Sequence, residues 1–350
     1  MPSPNVSHDN HIVPQWYLRS WSDRNGLVWC YPLLVSHENV PIWGQHPLKG
    51  IAYRRDLYTL TSEGQDVDDH ERWLKEKFED PASTVVKKAV QGKNLTPAEW
   101  RTLVLFAVCQ DLRTPQSFSE SMEYAREHFP STIQKSLEQA VEQIKRRAAS
   151  DEPAPPVVPD PGTKWLSEAF KFSIRHDTPQ QGLAEIGTHL LLGRDFWLRT
   201  QRHILGGIAE SLVDHSWCIA TAAKRIEWFT SDHPVAKLIP QRDGEFSLGS
   251  GWAVPGEIIC MPLSRRHLLI TEVGVELPQR LRLSKAMTMF IRRAIAARAW
   301  RTIFALQEVP DMPTMRPRRV DREAYELERE GWEDWHSRQT AAEQNHFDDR

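Results

Sequence analysis

Apolar positions recur along this chain at two different periods. Over 26–58, β-branched and aromatic residues are broken by turn formers (Asn25-Gly26, Pro41, Gly44, Pro47, Gly50), which predicts short strands and turns. From 67 the period lengthens. Trp73, Leu74, Phe78, Val85, Val86 and Val90 fall at helical spacing among Glu71, Glu76 and Glu79, so a helix is expected over 67–91, broken near Pro81. Thr96-Pro97-Ala98-Glu99 is a helix-start signature: threonine caps, proline suits the first turn, and glutamate reaches back to the cap amide. The helix it opens, through Trp100, Leu103, Val104, Phe106 and Val108, is apolar enough to be central and should end near Arg113, before Pro115.

Two amphipathic helices are expected over 116–128 and 131–149, the second ending in Lys145-Arg146-Arg147, which suits a helix C-terminus. The proline-rich, acidic stretch 151–162 reads as a linker or long loop. After it, 179–212 reads as helix, interrupted near Arg199 or Gly206-Gly207, followed by strands over 217–220, 226–230, 257–261 and 267–271. A strong helix is expected over 284–305 and a charged one over 321–339. Helices and strands come in blocks, which favours an α+β fold, mostly helical with a small mixed or antiparallel sheet. The organisation expected is one catalytic domain over 1–310, with the proline-rich loop at 151–162, and a charged helix and tail over 311–350.

Composition narrows the function classes. With 350 residues and a formal charge of -3, the chain can bury a sizeable core but cannot bind nucleic acid through overall charge, so any polyanion site must be a patch. The basic stretch 280–319 supplies one candidate, with Arg292, Arg293, Arg298 and Arg301 as its phosphate contacts. The acidic stretch from Asp321 onward is the natural internal partner for the same arginines. Cys30, Cys109, Cys218 and Cys260 lie far apart with no Cys-x-x-Cys pair, which reads as buried free thiols rather than zinc ligands or disulfides. The first thirty residues lack a basic start and apolar run, and no apolar run reaches roughly twenty residues, so the protein is expected to be soluble and cytoplasmic with no membrane partner.

No Walker loop, Gly-x-Gly-x-x-Gly, His-Glu-x-x-His or Gly-x-Ser-x-Gly is present. The candidate chemistry sits in four other places. His11 and Gln15 flank Pro14 in a stretch whose Trp16 and Tyr17 can dock the amino terminus on the core. Glu71 and Glu79, eight positions apart, would point within about 80° of each other on an unbroken helix and can bind a guanidinium or metal ion or shuttle a proton. Gln110 and Arg113 project together from the end of the apolar helix, where each polar group needs a partner; Arg113 suits a carboxylate or phosphate, or an internal salt bridge. Ser231 and Asp232 close a strand end, Ser231 as nucleophile or hydrogen-bond donor and Asp232 as base or cation partner, though the same residues are ordinary turn formers.

Taken together, His11-Ile12-Val13-Pro14-Gln15-x-Tyr17-Leu18, Glu71 with Glu79, Gln110-x-x-Arg113-Thr114-Pro115 and Phe229-Thr230-Ser231-Asp232-x-Pro234 resemble the motifs of domain-of-unknown-function family four-two-three-eight, in order over about 8–305. Trp16 stands where the pattern has Phe, and His233 where it has Asn; neither departure removes an ionisable group. Some members of that family resemble arginine-containing cyclodipeptide synthases. The resemblance implies arginyl-tRNA and a second aminoacyl-tRNA as substrates, with no ATP, cofactor or metal. Under it, His11, Glu71, Ser231 and Asp232 are the catalytic candidates, Gln15, Glu79, Gln110 and Arg113 the substrate-binding ones, and Arg292, Arg293, Arg298 and Arg301 the tRNA contacts. Two alternatives stay open from the residues alone: a metal-dependent nuclease using Glu71, Glu79 and Asp232 as ligands with His11 as base, and a non-catalytic binding module.

Overall fold

The computed structural model describes residues 6–62, 64–150, 170–178, 183–249 and 251–348; the proline-rich stretch 151–162 and positions 179–182 of an expected helix lie outside them. The chain divides into two compact units, one drawn from Met1–Ser117 and Ile204–Arg338, the other from Phe118–His203 and Gln339–Arg350. Residues 311–338, expected as part of an appended helix and tail, lie in the first unit. Helices predominate and the sheets are small, the α+β arrangement expected. Among the described residues no helix is long and apolar enough to cross a membrane. All four cysteines are free and buried.

The first unit holds two larger sheets. One has six strands in the order Phe246–Leu248, Ala236–Pro240, Ile258–Pro262, His267–Glu272, Cys218–Thr221 and Arg280–Arg282, antiparallel except for the last pair. Its central strand Ile258–Pro262 is buried at every position, as an uninterrupted apolar run requires. The other has four antiparallel strands, Thr230–Ser231, Thr302–Ala305, Leu27–Pro32 and Gly44–Pro47. Ile291, Ala294 and Ile295 of the helix Lys285–Arg298 share one core with Leu238, Cys260 and Ile270 of the first sheet and Tyr31 and Ile303 of the second.

Several expected elements are corrected. The helix over 284–305 stops at Arg298, and 302–305 form a strand instead. The Asp232 carboxylate accepts the backbone N–H groups of Trp300, Arg301 and Thr302, which a continuing helix would have used internally. Of 226–230, only Thr230 is in a strand, because Arg266 takes the carbonyl oxygens of Ala222, Ala223 and Ile226. Within 179–212, Leu183–Leu190 is a strand paired with Phe170–Thr178, and the helix begins only at Arg194; β-branched Ile186 and Thr188 beside Gly187 suit a strand better than a helix. The helix does end at Gly206.

The pair expected over 116–149 is one helix, Pro115–Ser150, running through Pro130. Arg126, whose carbonyl loses its partner there, is exposed, so water can satisfy it. The helix over 321–339 divides at Asp334 into Arg322–Glu333 and Trp335–Asp348.

The region 67–91 does not break at Pro81. Asp69–Leu74 and Asp80–Val90 are joined through a π-helical turn, Lys75–Glu79, and the wider turn accommodates a proline that has no N–H to return to the previous turn. Thr96 and Glu99 form the expected capping box at the start of Pro97–Leu112: Glu99 N–H donates to Thr96 Oγ1 at 3.3 Å and Thr96 N–H to Glu99 Oε2 at 2.7 Å. In the second unit, the fully buried Arg194 meets Glu343 through two bonds, Nε to Oε1 at 3.1 Å and Nη2 to Oε2 at 2.7 Å.

Candidate functional site

The π-turn decides where Glu79 points. It adds one residue to the path from Glu71, so eight positions turn like seven α-helical steps and the two carboxylates align within about 20° rather than 80°. Both reach Arg113, the residue that caps the end of Pro97–Leu112. Arg113 is completely buried: Nη1 donates to Glu79 Oε1, while Nη2 donates to the carbonyl oxygen of His11 and lies 3.3 Å from Glu71 Oε2. Tyr58 adds its hydroxyl, which donates to the Arg113 carbonyl oxygen and accepts from Nε at 3.4 Å.

A buried cation needs this much opposite charge. Burial alone would lower the Arg113 pKa, but Glu79, Tyr58 and Glu71 hold it well above its ordinary value. For Glu71 burial wins over Arg113, and with Glu79 repelling it the carboxyl is pushed up to about 7.

His11 enters this node through its backbone. The strand Asp9–His11 pairs with Tyr53–Arg55, and the short helix Gln15–Leu18 follows Pro14, setting Gln15 over the histidine ring with Nε2 2.8 Å from His11 Nε2. Burial and the nearby Arg113 lower the His11 pKa, leaving a neutral imidazole at neutral pH. The aromatic residues expected to dock this stretch do so: Trp16 packs on Phe106 at 5.1 Å between ring centroids, and the Tyr17 hydroxyl donates to the Pro262 carbonyl at 2.6 Å. Gln110 lies one helical turn before Arg113, fully buried, and neither its side-chain oxygen nor its nitrogen has a partner among the described residues.

The turn after Thr230 forms a second cluster. Ser231 is fully buried and its hydroxyl donates to the carbonyl of His233 at 2.8 Å, closing its own turn. His233 bridges two residues of the central helix end: Nδ1 is 2.6 Å from Thr114 Oγ1, and Nε2 is 3.0 Å from Asp111 Oδ1. Asp111 also accepts from Lys237 Nζ at 2.7 Å and Trp252 Nε1 at 2.9 Å. Burial would raise the Asp111 carboxyl, but Lys237 and His233 hold it well below the usual carboxylate range.

Asp232, also in this turn, lies on the wall of a cavity of about 1290 Å³ in the first unit, with Ile12, Arg54, Arg301, Glu328 and Trp332. The carboxylate holds the three amides at 300–302 at 2.8 to 3.1 Å, yet burial outweighs those donors and Arg54 and pushes it up to about 6. Asp232 and Arg301 are thus brought to one cavity, whereas Glu71, Glu79 and Arg113 meet one another at the buried node and do not line it.

The arginines expected to contact tRNA have partners within the chain, and of the four only Arg292 is buried. Arg292 is buried over the Phe229 ring, donating to the Glu227 carbonyl and lying 3.6 Å from Asp311. Arg293 meets Glu245 and the Gly244 carbonyl, and Arg298 is half-buried. Arg301 pairs with Glu328, joining the basic stretch to the acidic one. The three carboxylates that a metal-dependent nuclease would need are held by Arg113 and by the 300–302 amides. Among the described residues no group of three or more His, Cys, Asp or Glu side chains is arranged to hold a metal ion.

Sequence reasoning missed Asp111, Lys237, Tyr58 and Arg54. Asp111 carried the same signal as Gln110 and Arg113, a polar group in an apolar helix end; for Lys237 and Arg54 no local pattern distinguishes them from exposed cations. The family model for "Protein of unknown function (DUF4238)" matches residues 9–308. The chain belongs to that family. No curated protein and no solved structure matches it. The match takes in the Arg113 node, the 230–234 turn and the arginine helix, and leaves the helix Arg322–Glu333 outside the DUF4238 region.

Proposed function

We propose that this chain is a tRNA-dependent cyclodipeptide synthase, joining arginine from arginyl-tRNA to a second aminoacyl group to give a cyclo(Arg-Xaa) diketopiperazine. The α-amine of one aminoacyl ester attacks the ester carbonyl of the other, forming a C–N bond as the C–O bond to the ribose breaks and the hydroxyl leaves with a proton. A second attack of the same kind closes the ring and frees the second tRNA. Both esters are already activated, so the protein has only to bring the two together, accept the ammonium proton and stabilise the oxyanion.

The observation that carries this reading is the cavity floored by Asp232. At about 1290 Å³ it exceeds the roughly 300–1,000 Å³ usual for small-molecule sites, consistent with two aminoacyl groups and the ends that deliver them. Asp232, its carboxyl near 6, is assigned as the base that accepts the amine proton, and Asp56 and Glu333 on the same wall supply counter-charge for the substrate guanidinium. Arg113, Glu71 and Glu79 hold the amino-terminal strand beside the cavity. His11 and Gln15 flank Ile12, which lines it.

Expression in a bacterial host with metabolite profiling tests the reading, since the host supplies all charged tRNAs at once. An arginine diketopiperazine should accumulate with the unmodified chain and vanish with Asp232→Asn. Purified protein that makes none from a full mixture of charged tRNAs, arginyl-tRNA included, overturns it.

A further inference from the structure

Two guanidinium groups enter the Asp232 cavity, Arg54 from the strand Tyr53–Arg55 and Arg301 from the turn leading into Thr302–Ala305. Each lies against an indole, Arg54 at 5.3 Å from the Trp332 ring centre and Arg301 at 4.6 Å from that of Trp300, and the two indoles meet edge to face at 6.2 Å. Among the described residues a single carboxylate, Glu328, pairs with both cations. Arg301 Nε donates to Glu328 Oε2 at 2.5 Å, but Arg54 Nη2 is 3.8 Å from Glu328 Oε1, too long for a hydrogen bond, and Arg54 Nε is buried with no acceptor among the described residues. Asp232, the other nearby carboxylate, is turned onto three backbone amides. Two half-buried cations, each with 33% of its side chain exposed, therefore share one anion that hydrogen-bonds only Arg301, which also donates to the Trp300 carbonyl at 3.1 Å; a ligand oxyanion with more acceptor atoms would improve the electrostatics.

The origin of the groups sharpens the point. Arg54, Asp232 and Arg301 lie within the family-matched residues 9–308, whereas Glu328 and Trp332 are on the helix Arg322–Glu333 beyond them. We propose that Arg54 and Arg301 are the seat for the phosphate of a nucleoside monophosphate whose base lies against Trp332, and that Glu328 is an internal placeholder which that phosphate displaces. The nucleotide is either free or the last residue of an RNA strand; in the second form the proposal deepens the synthase reading and rests on it, because an aminoacyl-tRNA ends in such a nucleotide.

Calorimetric titration of the full chain tests this without turnover. Adenosine 5′-monophosphate should bind, with adenosine and inorganic phosphate each at least about tenfold weaker, because each lacks half of the contacts. Arg54→Gln should weaken the nucleotide by about tenfold or more, with Arg54→Lys recovering part of the loss. Glu328→Gln should tighten it several-fold, because the competing charge is gone; a merely structural Glu328 would leave affinity unchanged or reduced. A short single-stranded RNA ending in adenosine, run beside the free nucleotide, identifies the strand end as occupant if it binds more tightly and the free nucleotide if it does not. Nucleotide affinity equal to that of adenosine, or unmoved by both Arg54→Gln and Glu328→Gln, overturns the proposal. Product formation without nucleotide binding refutes the seat alone, and binding that obeys the variants without product refutes the synthase reading alone.

Discussion

Glu71 offers the sharpest test of the electrostatics at the Arg113 node, because two forces on it oppose each other. Its carboxylate is 3.3 Å from a guanidinium, which alone would keep it ionised, yet burial and Glu79 push the carboxyl from 4.5 to about 7. A carboxyl whose folded value is raised contributes stability that is complete below the unfolded value and is lost as pH rises through the folded one. The window is therefore about pH 4.5 to 7, which at about 1.36 kcal/mol per pH unit corresponds to roughly 3 kcal/mol in full. Between about pH 5 and pH 8 the expected loss is about 2.5 kcal/mol, since part of it has already occurred at the lower end. Glu71→Gln keeps the shape and removes the titration. Urea denaturation of the two proteins across this range should show the variant gaining on the parent by about 2.5 kcal/mol from acid to alkaline. A difference that stays flat, or that runs the other way as for a carboxylate held ionised by Arg113, would refute the claim that burial dominates.

Two further outcomes follow from the same networks. Glu79→Ala leaves a fully buried Arg113 with only the more distant Glu71 as counter-charge, so denaturation should show a loss near the lower end of the range for broken buried pairs, about 3 kcal/mol. Asp111→Asn strips Lys237 and His233 of their shared anion and should cost about 3–5 kcal/mol at neutral pH. Because the folded Asp111 carboxyl lies below its ordinary 3.8, the parent holds this stability above that value and loses it as pH falls further; the gap between the two proteins should narrow there, and a gap independent of acid would contradict the assignment.

Much of the architecture was legible from local pattern. The capping box at Thr96 is written in four residues, and the central apolar helix follows from its composition. What escaped depended on distant partners. Residues 302–305 carry a helix-compatible continuation, but a carboxylate seventy positions earlier, Asp232, takes the amides that a helix needs. The paired glutamates were visible as a pair and Arg113 as a cation wanting an anion, yet neither revealed that the two satisfy each other, since nothing local fixes which strand or helix end arrives opposite. Asp232 was legible as a strand-end acid; that it would floor a cavity with Arg54 and Glu328 was not, because those side chains come from a short strand and from a helix beyond the family region. The arginine row read correctly as basic, but its spacing could not say how many members turn inward, as Arg292 does.

Lys75, Glu76 and Lys77, in the wide turn between the two glutamates, are exposed. Their importance is arithmetical. If the wide turn tightened to ordinary α-helix with all of its residues kept, Glu79 would swing by about 100° around the axis relative to Glu71, stranding the guanidinium opposite; losing one residue as it tightened would restore the alignment. The wide turn and the eight-residue spacing therefore belong together, since either without the other would part the two glutamates.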